Sequence, residues 1–331
     1  MDRVAVIGFG NIATRHRRNL RSLFPKAVVY AMSSSGRKPE AVPADVDYIV
    51  ESVSQLIELK VELIVIASPA PFHSSHAIPL IQAGIPVLIE KPVCTNEQDT
   101  QELESAIASF STPVAVGYCI RYLSSAKKMK EYILSGMFGK IYHCSIDMGQ
   151  YLPDWRPHKD YRETVSAQSK LGGGVLLELS HELDYAQWIF GELDLQYALL
   201  KNSGELEIDV EDSADLLFLA KHGVCLNVHL DFLQQKVSRR CKIISHAGVV
   251  EWDLVANEIR ICTNGSEKLL FSDPSWEPNQ MYLDMLTDFL SLINGDDSQA
   301  VSVSEASKTV ALIENVKSKF PITKIISADV Q

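Results

Sequence analysis

The chain has 331 residues, 46% apolar and 22% charged, with 31 Lys and Arg against 42 Asp and Glu for a net charge of −11. This ordinary globular usage excludes a disordered or collagen-like chain, and at roughly 150 residues per domain the length suggests about two domains. The acidic balance argues against non-specific binding of nucleic acid or anionic membrane, and leaves room for a local basic pocket.

Arg3 to Gly8 is a short apolar strand ending in glycine, and Asn11 to Leu23 is polar and helix-compatible. Further strands are expected over 27–32, 63–67, 87–89 and 114–116. Helices are expected over 53–58, 73–83 and 95–110, with Gly84 as a C-terminal cap and Thr95 as an N-cap. Strands that are apolar throughout and separated by helices indicate a parallel sheet covered on both faces. The pattern changes near residue 120. A helix from Ser124 to Ser135 precedes a strand from Lys140 to Met148, and residues 151–170 have no clean period. Gly172, Gly173 and Gly174 then lead into one helix over 175–190. Strand-like runs at 193–200, 213–221, 224–232, 239–245, 249–254 and 258–262, joined by short turns, favour an antiparallel sheet. Helices at about 279–293 and 303–319 close the chain. The architecture is α/β followed by α+β. No apolar stretch approaches the ~20 residues that span a bilayer. No charged-then-apolar leader precedes the first strand. The six cysteines lack CxxC spacing and read as buried, reduced thiols of a cytoplasmic protein.

The strongest local motif is Gly8-Phe9-Gly10-Asn11-Ile12-Ala13, a GxGxxA run between a strand and a helix. Gly8 permits the tight turn, Gly10 lets a pyrophosphate approach the backbone, and Ala13 allows close helix–strand packing. The following helix offers free N–H groups and a positive dipole end to phosphates. The same residues would also serve a plain tight turn. The second strand ends in Met32-Ser33-Ser34-Ser35-Gly36-Arg37-Lys38, without the acid that accepts from a ribose 2′-hydroxyl. Ser33, Ser34, Arg37 and Lys38 suit a 2′-phosphate instead, so NADP(H) is favoured over NAD(H). Glu90-Lys91-Pro92 follows the fourth apolar strand, at the sheet end where ligands bind. A lysine there donates to a substrate hydroxyl or carbonyl.

With these residues the chain resembles the Gfo/Idh/MocA oxidoreductases. The resemblance rests on the GxGxxA run, on Ala67-Ser68-Pro69 with His73, on Glu90-Lys91-Pro92, and on Gly117-Tyr118 with Arg121. The later glycines and His181-Glu182-Leu183-Asp184 extend it over essentially the whole chain. It implies a Rossmann dinucleotide-binding domain over 1–120. A substrate and oligomerisation domain follows over 121–331, α+β with an open, mostly antiparallel sheet. The C-terminal helix is free to pack back on the first domain. It also implies hydride transfer between NAD(P) and a carbon of a sugar, sugar acid, cyclitol or nucleotide sugar, in a homodimer or homotetramer built through that sheet. Lys91 then stands between nicotinamide and substrate, and His181 is the acid/base. Ser68, Pro69, His73 and Glu90 line the cofactor. Non-catalytic dinucleotide-binding regulators and NAD-dependent glycosidases share the fold and remain alternatives.

One departure concerns the acid that many members carry four residues before this histidine, where this chain has Leu177. Glu178, three residues before His181, shares its face on a helix and could do a related job, and Asp184 is a second candidate neighbour. Tyr151, Trp155, Arg156 and His158 form the substrate-loop candidate, with Arg121 reaching in as well. Aromatic faces suit sugar C–H groups, and the cations suit phosphate or carboxylate, which favours an anionic sugar. His73 and His76 have metal-like spacing but no third ligand, so no metal is expected.

Overall fold

The computed structural model describes residues 1–34, 39 and 41–324. Two compact units emerge. One comprises Met1–Cys119 with Tyr282–Ala311, the other Ile120–Met281 with the described chain from Leu312 onward.

The chain opens β1 (Arg3–Ile7), α1 (Asn11–Leu23), β2 (Val28–Met32), β3 (Tyr48–Val50), α2 (Val53–Glu58), β4 (Leu63–Ile66), α3 (His73–Gln82), β5 (Val87–Ile89), α4 (Glu97–Phe110) and β6 (Val114–Val116). These strands form one parallel sheet in the order β3-β2-β1-β4-β5-β6. The order reverses between β1 and β4, and in such sheets ligands bind beyond the strand ends at that switch point. Strand residues such as Val6, Ile66 and Ile89 are fully buried, because helices cover both faces. Each such side chain contributes about 2 kcal/mol of burial. The cap of α4 differs from expectation. Asn96, not Thr95, accepts from the Asp99 N–H at 2.9 Å, and its amide donates to the Asp99 carboxylate at 3.0 Å. Asparagine is the stronger N-cap.

The chain continues with α5 (Ser124–Leu134), β7 (Ile141–Gly149), α6 (Val175–Glu178), α7 (His181–Phe190), β8 (Leu193–Asn202), β9 (Ser213–Ala220), β10 (Cys225–Asp231), β11 (Ser238–Ser245), β12 (Gly248–Asp253), β13 (Glu258–Thr263) and β14 (Ser266–Ser272). It ends with α8 (Gln280–Asn294), α9 (Val303–Lys319) and β15 (Thr323–Lys324). The second sheet has the order β14-β13-β12-β11-β7-β10-β9-β8-β15. It is antiparallel except for the β7–β10 and β8–β15 pairs. Its inner face packs on α5, α6 and α7 through one core that includes Leu176, Leu183, Phe218 and Trp252.

The helix expected over 175–190 is two helices. Leu179 leaves helical geometry at φ −101° and ψ 29°, and a new helix starts at His181. Val175, Leu176, Leu177 and Leu179 are all buried. Four apolar residues so closely spaced exceed the single stripe that a straight helix buries, and the break brings all four into the core. Residues 151–170 form short 3₁₀ turns. All six cysteines are free, four of them buried, with Cys225 half-buried and Cys262 exposed. No described helix is long and apolar enough to cross a membrane.

Candidate active site

In the first unit the glycine turn is built as its residue types require. Gly8 sits at φ 128°, and its amide donates to the Met32 carbonyl at 2.7 Å. A Cβ there would collide with the Ala67 carbonyl, so β1 and the end of β4 meet only through glycine. Gly10 is the N-cap of α1, and a Cβ on it would meet nothing within 4 Å. The space over that turn is therefore open, beside the first-turn amides of α1, which Gly10 gives no side-chain cap, and that turn carries no acidic residue. A dinucleotide pyrophosphate fits this donor set. Phe9, Asn11 and Ile12 frame the turn, and Ala13 is fully buried against the sheet.

Two buried residues of α1 escaped the sequence argument. Arg17 is 1% exposed. Its guanidinium donates to the Gly8 carbonyl at 3.0 Å, to Asp45 at 3.0 Å and to the Thr14 hydroxyl at 2.9 Å, and it lies over the Phe9 ring at 5.4 Å. It clamps the glycine turn from beneath. His16 is fully buried, with Nε2 2.6 Å from Glu90 Oε1. The available signal was positional, because Ala13, His16, Arg17 and Leu20 share the inward face of the helix.

The loops after β2, β4 and β5 are tied together by histidines. His73 Nε2 lies 2.8 Å from the Ser68 carbonyl, and its Nδ1 lies 3.1 and 3.2 Å from the Pro92 and Val93 carbonyls. Both ring nitrogens thus face backbone, which makes His73 a brace between the Ser68-Pro69 loop and the Glu90-Lys91-Pro92 turn. Complete burial outweighs the pull of those carbonyls and lowers its pKa. His76 Nδ1 accepts from the Ser68 hydroxyl at 3.1 Å, and the ring also bonds the Ser34 backbone. Burial, and then the nearby His73, push the pKa of His76 down to about 4. His76 therefore stays neutral and links the loop after β2 to the loop after β4. Ser33 follows β2 directly. Arg37 and Lys38 lie outside the described residues. Glu90 is buried and accepts from the Lys91 amide at 3.2 Å, in a turn with a cis Lys91–Pro92 peptide.

In the second unit His181 is buried in the first turn of α7. The expected helix face shared by Glu178 and His181 is corrected by the break between α6 and α7, and Glu178 accepts from the Ser166 hydroxyl at 2.7 Å. Asp184 receives both arms of the Arg121 guanidinium at 2.7 and 2.9 Å. Arg121 is thereby held by a carboxylate of its own chain. Leu177, four residues before His181, is 4% exposed in the core. The glycine run before α6 has a packing cause. Gly174 sits at φ 99°, where a Cβ would collide with the buried Glu211 carboxylate, itself paired with Lys317 at 3.3 Å.

The substrate-loop candidates divide. Trp155 donates to the Gln150 carbonyl at 3.2 Å and meets Phe232 edge-on at 5.4 Å, and Tyr151 is half-buried against the same core. These aromatics anchor the loop. Arg156 is half-buried and His158 exposed. Arg162 is engaged by Asp160 at 2.9 Å and Glu207 at 2.6 Å. Among the described residues no group of three or more His, Cys, Asp or Glu is arranged to hold a metal ion.

Comparison with known proteins identifies both units. Residues 3–118 match the model of an oxidoreductase family with an NAD-binding Rossmann fold, and residues 126–251 match the GFO/IDH/MocA C-terminal domain. The chain is 27% identical over 237 residues to an inositol 2-dehydrogenase of Streptomyces avermitilis, covering 63% of this chain and 64% of that protein. It is 24% identical over 330 residues to a myo-inositol 2-dehydrogenase of Thermotoga maritima, covering 94% and 93%. The WlbA dehydrogenase of Bordetella pertussis, solved with NADH and UDP-GlcNAcA, superposes with a TM-score of 0.80. That match has 20% identity and covers 96% of this chain and 94% of that one.

Proposed function

The chain belongs to the Gfo/Idh/MocA oxidoreductases, and on that premise we propose that it interconverts an alcohol and a carbonyl on a polyhydroxylated, sugar-type ring with NADP(H). The carrying observation is the open, acid-free glycine turn at the β1–α1 junction, on a sheet whose β5 is followed directly by Glu90-Lys91. Gly8 to Ala13 would hold the pyrophosphate, and Ser68 and Pro69 would lie along the cofactor. A bound nicotinamide supplies or accepts the hydride. Lys91 donates a hydrogen bond to the substrate oxygen and stabilises alkoxide character as it develops. His181 takes the hydroxyl proton during oxidation and returns it during reduction. Glu178 and Asp184 support that helix turn through Ser166 and Arg121.

The serines after β2, with Arg37 and Lys38 following in sequence, support a 2′-phosphate and hence NADP(H) over NAD(H). Carboxylates of the chain's own hold Arg121 and Arg162. This supports a neutral sugar or cyclitol above the anionic sugar expected from the cations of the loop, with Arg156 and His158 available there. Exposed Tyr197, Leu219 and Ile244 share the outer face of the second sheet, which supports assembly of two or four copies there.

The deciding experiment titrates the purified chain with NADPH and with NADH by nicotinamide fluorescence. Turnover is then screened on cyclitols, neutral sugars and nucleotide sugars. Tighter NADPH binding and reduction or oxidation of a neutral ring are expected. Tighter NADH binding overturns the 2′-phosphate reading alone. Cofactor binding without turnover of any ring favours a regulator, and a tightly held cofactor that is never consumed favours a glycosidase.

A further inference from the structure

The turn that carries Lys91 is braced from the helix that caps the glycine turn. His16 lies on α1, fully buried, and its Nε2 is 2.6 Å from Glu90 Oε1. The other oxygen of Glu90 accepts from the Lys91 amide at 3.2 Å. The carboxylate is packed closely on its far side, because a Cβ on Gly117 would lie 3.1 Å from it. Tyr282 closes over the His16 ring edge-on at 6.1 Å. His16 Nδ1 meets no polar partner among the described residues, so Glu90 is the polar tie that this ring makes there.

We propose that His16 is a positioning residue for Lys91, coupling the helix that holds the cofactor pyrophosphate, through Glu90, to the backbone that carries the lysine. The inference rests on the reading of the glycine turn and Lys91 given above. A buried carboxylate is costly without a bonded partner. Without His16, Glu90 loses that partner and must move toward another donor. That movement alters the acceptor that holds the Lys91 amide. A displacement of about 1 Å at a reacting group can cost about 10²-fold in rate. The ring of His73 fixes Pro92 and Val93, and Glu90 ties the same turn to α1.

The test uses the full chain with His16→Phe, which removes the donor, and His16→Gln, which places an amide N–H near the lost Nε2. His16→Asn is a third variant, too short to reach Glu90, and carries the test if the Phe variant does not fold. Three quantities are read: the NADPH dissociation constant, kcat on the best substrate, and NADPH-induced hydrogen-exchange protection of residues 89–93. The Phe or Asn variant is expected to bind NADPH within about threefold of wild type while kcat falls about tenfold or more. Protection of 89–93 is expected to vanish with kcat, and Gln to restore both. A folded Phe or Asn variant that keeps kcat and protection overturns the inference. So does a Gln variant that restores neither, or a loss confined to NADPH affinity. A wild-type chain that binds dinucleotide but turns over no substrate leaves the exchange readout to decide. One that binds no dinucleotide overturns the functional reading together with this one.

Discussion

Arg121 and Asp184 meet as a two-pronged pair, Nε and Nη2 each donating to a separate carboxylate oxygen at 2.9 and 2.7 Å, with side chains 8% and 2% exposed. The guanidinium also lies 5.6 Å from the Trp188 ring centroid, and Lys130 sits over the same ring at 4.1 Å. Removing one member strands a buried charge. Asp184→Ala is therefore expected to lower the unfolding free energy by about 3 kcal/mol. The double change Arg121→Met with Asp184→Leu should regain most of that loss. Urea unfolding of the three chains checks this, and an Asp184→Ala cost below about 0.5 kcal/mol would return Arg121 to the substrate.

Arg17 supports the glycine turn through the Gly8 carbonyl while Asp45 balances its charge. Arg17→Met should weaken dinucleotide binding about tenfold, roughly 1.4 kcal/mol. Arg17→Lys should not rescue it, since an ammonium cannot serve Gly8, Asp45 and Thr14 from one rigid fork. Fluorescence titration of both variants tests the clamp. Full affinity in the lysine variant would show that charge alone suffices.

The parallel unit was legible because each buried strand is apolar throughout and each turn carries its own punctuation. The helices Asn11–Leu23 and Val53–Glu58 and the strand Val87–Ile89 were read to the residue. Tyr48–Val50 was missed, being a three-residue edge strand among aspartates, and Ser266–Ser272 was missed because its burial does not alternate. At the site, the glycine turn and Lys91 follow from local rules. The partners of Glu178, Asp184 and Arg121 do not. They depend on a helix break forced by core packing and on a partner 63 positions away. His16 and Arg17 could have been found by asking which face of α1 is buried.

His229 is held by Asp231 at 3.2 Å and by Asp215 at 2.6 Å, which push its pKa up to about 9. Strand register sets it in a row of alternating charge with Arg240, Asp147 and Asp215. A raised histidine pKa stabilises the fold fully below its unfolded value of about 6.5, and the contribution is lost as pH climbs toward 9. The ring is 37% exposed, so screening holds the effect to about 1 kcal/mol. His229→Gln should flatten the stability profile between pH 6.5 and 9 in urea unfolding. Identical slopes for wild type and variant would refute the pairing.

His76 gives the opposite sign. Its ring, 8% exposed, is kept neutral down to about pH 4 between Ser68 and the Ser34 backbone. The unfolded chain takes up that proton near pH 6.5, so the unfolded state binds more protons between about pH 4 and 6.5 and stability falls on acidification through that window. The gap of about 2.5 pH units corresponds to about 3 kcal/mol at most. Carboxylates also titrate there, so the quantity to measure is a difference. The unfolding free energy of wild type minus that of His76→Gln should shrink by about 2 to 3 kcal/mol from pH 7 to pH 4. The same variant frees the loop after β2 from the loop after β4, and NADPH affinity at pH 7 should drop while Lys91-dependent turnover at saturating cofactor persists. Parallel stability curves would show that His76 is solvated and exchanges protons freely. An unchanged NADPH affinity would show that Ser34 is held in place without it.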